Sequence, residues 1–234
     1  MNKNFKTRTG LIIGNEGIEK LQNSNVIVFG VGGVGSFAAE AIARAGVGKM
    51  TIVDFDDVDI TNINRQIPAL HSTVGKYKVD VMKDRILDIN PNIDIKAIRA
   101  KYTAENSEEI LCEEYDYVID AIDMVTSKIH LIETCVKKNF NIISSMGMGN
   151  KLDPTKIVVT DIYKTQMCPL AKVMRKELRD RKIKKLKVVY STEQPVELKE
   201  KIMNGKKITP GSISFVPSVG GLTIASVVVN DLIK

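Results

Sequence analysis

VIVFGVGGVGSFAAEAIARAGVGKMTIVD, running from Val26 to Asp54, is the stretch on which the fold turns. Val26–Phe29 is a short apolar, β-branched run, as expected of a strand buried on both faces. Gly30, Gly32 and Gly35 then spell G-x-G-x-x-G, with Gly33 inside the turn. Ser36–Arg44 is an Ala-rich helix that exits through Gly46 and Gly48. Met50–Val53 reads as a second strand and ends in Asp54, nineteen residues after Gly35. Strand, glycine turn, helix, strand and acid in that order form the βαβ nucleotide-binding fingerprint. The glycines let backbone N–H groups approach phosphate at a helix N-terminus, and Asp54 can accept from a ribose hydroxyl. The stretch predicts a nucleotide; by itself it does not select which one.

Outward from this unit the alternation continues. Thr9–Gln22 reads as an N-terminal arm and short helix. After Asp54 comes FDDVDITNINRQIPALHSTVGKYK, a polar stretch in which Pro68 and Gly75 argue against one long helix. It lies beyond the carboxyl end of the second strand, where ligands bind in open α/β sheets. Val79, Met82, Ile86 and Ile89 recur at helical spacing over Lys78–Asn90, stopped by Asn90-Pro91. Strands are expected at Ile93–Ile98, Tyr117–Ile119 and Asn141–Ser145, with helices from a Thr103 cap to Leu111 and over Ser127–Lys138. Met146–Tyr163, with a good strand at Lys156–Tyr163, reads as a hairpin-like extension that turns the sheet antiparallel. A basic helix from Leu170, a strand at Lys187–Tyr190, a polar loop over Ser191–Pro210, a last strand at Gly211–Pro217 and a terminal helix over Leu222–Ile233 complete the chain. The expected fold is α/β: a Rossmann-like, doubly wound, mostly parallel sheet with an antiparallel C-terminal extension. One domain is expected over residues 1–234, with an arm and helix at 1–24, a nucleotide-binding core at 25–145 and a substrate-side extension at 146–234.

The bulk numbers bound the function. At 234 residues and 44% hydrophobic, the chain can bury one sizeable core. The basic start MNKNFKTRTG has no apolar run behind it, which argues against a secretory signal. Val216–Val229 is broken by Pro217, Gly220 and Gly221 and reads as too short to span a bilayer. Three cysteines, Cys112, Cys135 and Cys168, with no C-x-x-C pair argue against a disulfide framework and a Cys-ligated zinc. A reduced, cytoplasmic protein away from membranes is expected. Net charge is +6, and Lys172–Lys187 holds nine Lys or Arg against Glu177 and Asp180, so this one segment carries the whole excess. It is either a solvated helix face or a surface for a polyanion such as RNA.

DVDITNINRQ, Asp57–Gln66, joined to the glycine turn before it and to IDAID, Ile119–Asp123, after it, resembles the ubiquitin-activating-enzyme-like adenylyltransferases. The resemblance spans essentially the whole chain, and three separated motifs arrive in order. It implies ATP as the nucleotide. It implies further that Asp54 holds the ribose and that Asn62, Arg65, Gln66 and Lys78 surround the triphosphate. Asp123 matches the acid that positions Mg²⁺, and Arg8 an arginine that reaches into a partner subunit's site, so a homodimer is implied. Many relatives carry Asp-Asn where this chain has Asp123-Met124. The residue types suit the chemistry: Arg65 offers a planar fork for phosphate, Lys78 a point charge, and Asp123 a hard oxygen ligand. Arg65, Lys78 and Asp123 are therefore the expected catalytic residues.

Later segments, DPTKIVVTDIYKTQMCPLAKVMRKELR, YSTEQP and GSISFVPSVGGLTIASVVV, resemble the bacterial tRNA threonylcarbamoyladenosine dehydratases within that superfamily. This implies an ATP-dependent, ligase-type activation of a side-chain carboxylate on a modified tRNA adenosine. A nitrogen of the same side chain then closes a ring with net loss of water. Intramolecular closure needs no protein nucleophile, and none is evident among His71, His130 and Cys168. Cys168 before Pro169 suits either a thiol activated at a helix N-terminus or a small packed residue; Cys112 and Cys135 read as core. The main alternative is an activator of a ubiquitin-like sulfur-carrier protein, against which the missing zinc cysteines argue. The resemblance also leaves room for sulfur-transfer or redox partner proteins. An NAD-dependent dehydrogenase or a non-catalytic RNA-binding module would leave Asn62, Arg65 and Lys78 unexplained.

Overall fold

The computed structural model describes residues 4–205 and 207–234. Seven strands form one sheet in the order β3-β2-β1-β4-β5-β7-β6, parallel except at its last edge. β1 (Asn25–Phe29), β2 (Lys49–Asp54) and β3 (Asp94–Arg99) step one way from the centre. β4 (Tyr117–Asp120), β5 (Ile142–Ser145) and β7 (Lys187–Ser191) step the other way. The order reverses between β1 and β4, which pair in register from Val26↔Tyr117 to Phe29↔Asp120. Such a reversal opens a crevice at the carboxyl ends of the strands.

The expected α/β architecture is therefore present, and its central run explains why. Val26, Ile27, Val28 and Phe29 are all fully buried, because helices cover both faces of the strand. α2 (Gly35–Ala45) and α3 (Lys78–Ile89) pack on one face with α7 (Phe215–Leu232). α5 (Val125–Lys138) covers part of the other face, and α6 (Pro169–Asp180) packs beside it through Ala171, Met174 and Leu178. The N-terminal α1 (Thr7–Asn23) bends at Gly14, whose φ of 72° breaks the helical path.

Several expectations need correction. Met146–Tyr163 turns the sheet antiparallel as expected, but not as a simple hairpin, because its strand does not lie beside the one it follows. β6 (Ile157–Asp161) pairs antiparallel with β7, and β7 takes the place beside β5. The pattern of burial accounts for this: Val188, Val189, Tyr190 and Ser191 of β7 are buried, whereas Val158 and Val159 of β6 are exposed and suit an edge.

Gly211–Pro217 is not a strand; α7 begins at Phe215 and carries Pro217 in its first turn, where a missing N–H costs nothing. Gly221 is required there, since a Cβ would sit 2.3 Å from the carbonyl oxygen of Val34, the residue just before α2. α7 is, by length and composition, apolar enough to cross a bilayer, with a mean hydropathy of 1.4. Yet Val216, Ile224 and Val228 are buried in the main core.

Thr103 does not cap a helix to Leu111. Its own N–H donates to Asn106 Oδ1, and α4 is confined to Ser107–Ile110. That short helix also leaves Cys112 exposed rather than in the core; Cys135 is buried as expected. Within Ser191–Pro210 a small hairpin, β8 (Met203–Asn204) with β9 (Lys207–Ile208), stands apart from the main sheet.

Candidate active site

A cavity of about 520 Å³ opens at the β1/β4 reversal. Its first half is built by the ends of β1, β2 and β4. Gly30 has a φ of 84°, and a Cβ on it would come 2.7 Å from the Ala121 carbonyl oxygen. A Cβ on Gly35 would lie 1.7 Å from the Gly30 oxygen. These two glycines let the turn press against β4 and the start of α2; Gly35 itself does not line the cavity. Gly32 and Gly33 do line it, and a Cβ on Gly32 would point toward the Gln66 amide, 3.7 Å away. The fingerprint thus divides its glycines between making the turn and leaving space beside it.

Asp54 ends β2 at the cavity wall. Its Oδ2 accepts from the Val31 N–H at 2.7 Å and its Oδ1 from the Asp56 N–H at 2.9 Å. Burial pushes the carboxyl up from its ordinary range, against the opposing pull of those two amides. Each oxygen keeps a lone pair for a hydroxyl.

Lys78, the first residue of α3, is 4% exposed, and its Nζ donates to Asp56 Oδ2 at 2.7 Å. Asp56, a neighbour of the expected ligands, went unrecognised in the sequence; its signal was the acidic doublet Asp56-Asp57. Arg65 reaches the cavity on the turn that follows the 3₁₀ helix Ile60–Asn62. Its Nη1 donates to the Thr61 carbonyl at 2.9 Å and to Asn64 Oδ1 at 2.8 Å, and burial lowers its pKa. Gln66 lines the cavity with a buried Oε1 that has no hydrogen-bond partner. An unmet buried acceptor costs roughly 1–3 kcal/mol, which a ligand donor could relieve.

Two expected residues do not line this cavity: Asn62, expected at the triphosphate, and Arg8, expected at a partner subunit's site rather than this one. Asn62 is not at the cavity; its Oδ1 accepts from the Asp59 N–H at 3.2 Å and closes a capping box. Its part is to shape the turn that carries Arg65. Arg8 sits exposed on α1 and does not line this chain's cavity.

Asp123 does line the cavity and is exposed. It follows a loop pinned from beneath by a residue whose role the sequence did not reveal. Asp120 is fully buried; its Oδ2 accepts from Lys128 Nζ at 2.8 Å and Ser144 Oγ at 2.6 Å, and its Oδ1 from the Ile122 N–H at 3.1 Å. Lys128 is likewise fully buried. Its spacing from Asp120, across a helix start, carries no recognisable motif.

The second half of the cavity is lined by Ser145–Lys151, Cys168–Leu170, Pro195 and Pro210–Ser212. The Met146–Lys151 loop therefore faces the cavity rather than merely turning the chain, and a Cβ on Gly147 would lie 3.6 Å from Cys168 Sγ. Cys168 caps α6, its Sγ accepting from the Ala171 N–H at 3.5 Å, and is 4% exposed. His71 is exposed, and His130 meets the Tyr102 hydroxyl at 3.1 Å; neither lines the cavity.

The residues fit a nucleoside triphosphate: a glycine turn at a helix start and two cations for phosphate, and a carboxylate that can accept from ribose. Among the described residues no group of three or more His, Cys, Asp or Glu gathers that could hold a metal. Asp123, exposed at the cavity, is a hard oxygen ligand of the kind that meets an Mg²⁺ ion carried chiefly by phosphates.

The comparisons agree with this geometry. The chain is 50% identical to the tRNA threonylcarbamoyladenosine dehydratase of Bacillus subtilis, over 97% of this chain and 94% of that protein. It superposes on the Escherichia coli tRNA N6-threonylcarbamoyladenosine dehydratase, solved in complex with ATP, with a TM-score of 0.89 and 34% identity. That match covers 97% of this chain and 93% of the other. The AMP complex of the same Escherichia coli protein superposes with a TM-score of 0.88 and 34% identity, covering 96% and 92%. The model of the ThiF family matches residues 6–233, and with the cavity built on its glycine turn, the chain belongs to the ThiF family.

Proposed function

We propose that this chain is an ATP- and Mg²⁺-dependent tRNA threonylcarbamoyladenosine dehydratase. The observation that carries the reading is a single cavity with two chemically different halves. One half has the glycine turn, Asp54, Arg65 and Lys78; the other is open space between the Met146–Lys151 loop and the start of α6. The likeness to the Bacillus subtilis and Escherichia coli dehydratases over nearly the whole chain supports it.

ATP supplies the activating group that makes the substrate carboxylate an acyl donor for a nitrogen of the same side chain. The protein residues bind, orient and balance charge. Asp54 holds the ribose, and the amides at the start of α2 meet phosphate. Arg65 and Lys78 meet the negative charge that develops at phosphorus, and Asp123 positions Mg²⁺. Gln66 donates through its amide nitrogen to phosphate oxygen, or accepts through its unmet Oε1. Cys168, engaged in capping α6, acts in packing.

The tRNA lies along α6, whose first residues line the cavity. Lys172, Lys176, Arg179, Lys182, Lys184 and Lys185 are exposed there, whereas Arg181 and Lys187 are paired with Glu177 and Asp231. Exposed cations along α6 and just past its end suit the phosphates of an anticodon stem. A homodimer is supported by α1, where Leu11 and Ile12 are 78% and 86% exposed and Arg8 stands clear of its own cavity. Free thiols at Cys112, Cys135 and Cys168 suit a cytoplasmic setting.

The test is incubation with ATP, Mg²⁺ and tRNA from cells lacking this protein, followed by nucleoside mass measurement. Loss of one water from the threonylcarbamoyl nucleoside is the expected result. An unchanged mass, with ATP–pyrophosphate exchange driven instead by a Gly-Gly-ended protein, would point to a sulfur-carrier activator.

A further inference from the structure

Lys151 lines the second half of the cavity and is only 3% exposed. Its Nζ donates to the Glu193 backbone carbonyl, its one hydrogen-bond partner among the described residues. No described carboxylate lies within ion-pair distance of it. The Glu193 side chain is taken by the N–H groups of Leu152 and Asp153 at 3.0–3.1 Å, and Asp153 lies 3.7 Å from Lys156. The other cations of the cavity are provided for differently. Lys78 has Asp56, Arg65 has the Thr61 carbonyl and Asn64, and Lys101 is exposed to water.

Burying an ammonium whose neighbouring carboxylate, Glu193, acts on it only from beyond ion-pair distance and is already committed to backbone N–H groups is costly, and two of its three donors remain to be used. Burial accordingly holds the Lys151 pKa below the ordinary lysine value. Such a group is stabilised when an anion enters. The position also suits an anion, because Lys151 closes the loop that faces the start of α6, across the cavity from the glycine turn.

We propose that Lys151 is the carboxylate-binding residue of the second half of the cavity, holding the acid group of the threonylcarbamoyl side chain beside the phosphate-binding half. The identity of that carboxylate rests on the function proposed above; the existence of an anion subsite does not. Lys151 serves binding and selectivity: it fixes the carboxylate facing the nucleotide and leaves the rest of the side chain free to fold toward it. The sequence offered no motif for this residue, which there appears only as a lysine after a glycine-rich turn.

The experiment measures equilibrium binding of threonylcarbamoyladenosine nucleoside and of its methyl ester, with a non-hydrolysable ATP analogue present. Wild type, Lys151→Met and Lys151→Arg are compared. Wild type should prefer the acid over the ester by about ten- to a hundred-fold, the range of a hydrogen bond to a charged group. Lys151→Met should lose that preference while keeping its affinity for the ATP analogue, and Lys151→Arg should keep most of it. A wild-type protein that does not distinguish acid from ester overturns the proposal, as does an unchanged ratio in Lys151→Met. Should Lys151→Met fail to bind the analogue, Lys151→Gln replaces it with the same readout. Failure of wild type to dehydrate modified tRNA would sink the proposed function, while the acid-to-ester ratio still judges Lys151 on its own.

Discussion

Lys128→Met removes the counter-ion from a carboxylate that has no contact with water. Asp120 and Lys128 are both 0% exposed, their charged atoms 2.8 Å apart. The pair is worth little compared with a well-packed apolar pair, because both charges had to be desolvated. Breaking it is another matter. With Lys128 gone, Ser144 and the Ile122 N–H remain as donors to Asp120, but no positive charge does. The expected loss is about 3–5 kcal/mol, set against a total stability of roughly 5–15 kcal/mol for a typical domain. Asp120→Asn/Lys128→Met removes both charges and keeps an acceptor for Ile122, so it should recover more than half of that loss. Urea unfolding followed by far-UV circular dichroism is the suitable assay, since the chain has no tryptophan. Because Asp120 anchors the loop that ends in Asp123, the single variant should also bind ATP and Mg²⁺ more weakly than its residual stability explains. A Lys128→Met protein within about 1 kcal/mol of wild type, or a double variant no better than the single, would refute the reasoning.

Arg65→Ala should lower turnover by on the order of 10²–10³, as for loss of one preorganised transition-state donor; near-normal single-turnover rates would remove Arg65 from the chemistry. Replacing Lys182, Lys184 and Lys185 together by Gln should weaken tRNA binding and flatten its log–log salt dependence by roughly 0.9 for each phosphate left without its cation. An unchanged salt series would leave α6 and its exit as a solvated face. Burial would raise the Asp231 carboxyl, but hydrogen bonds from Lys187, Lys234 and Tyr117 outweigh it and hold the pKa at about 2. With the folded pKa below the unfolded one, this contribution is present above about pH 4 and is lost as pH falls toward 2. Asp231→Asn should therefore cost about 1 kcal/mol near neutral pH, after allowance for solvent screening. The difference from wild type should shrink in acid; a pH-independent difference would contradict it.

Val26–Asp54 by itself determined the centre of this protein. Local chemistry sets it: β-branched runs, a turn only glycine can make, and an acid at a strand end are all specified within thirty residues or so. Arg65, Gln66, Lys78 and Asp123 were legible through the family resemblance carried by DVDITNINRQ and IDAID rather than through the hydrophobic pattern, and all four line the cavity. What the pattern could not decide was which elements become neighbours. KIVVTDIY and KVVY are both good strands in isolation, and only competition for the buried place beside β5 sent one to the edge. GSISFVP reads as a strand, yet α7 begins inside it at Phe215, and Gly221 further along lets that helix press against the Val34 carbonyl. Asn62 belongs to the family pattern, but its side-chain oxygen is held in a cap and lies away from the cavity. Asp120–Lys128 and Lys151 are decided by the tertiary structure alone, because burial, not residue type, turns an ordinary lysine into a buried counter-ion or an unmatched charge facing a cavity. The glycine turn thus announces a phosphate site in the sequence, whereas the second half of the cavity exists only once Met146–Lys151, α6 and the start of α7 have packed around it.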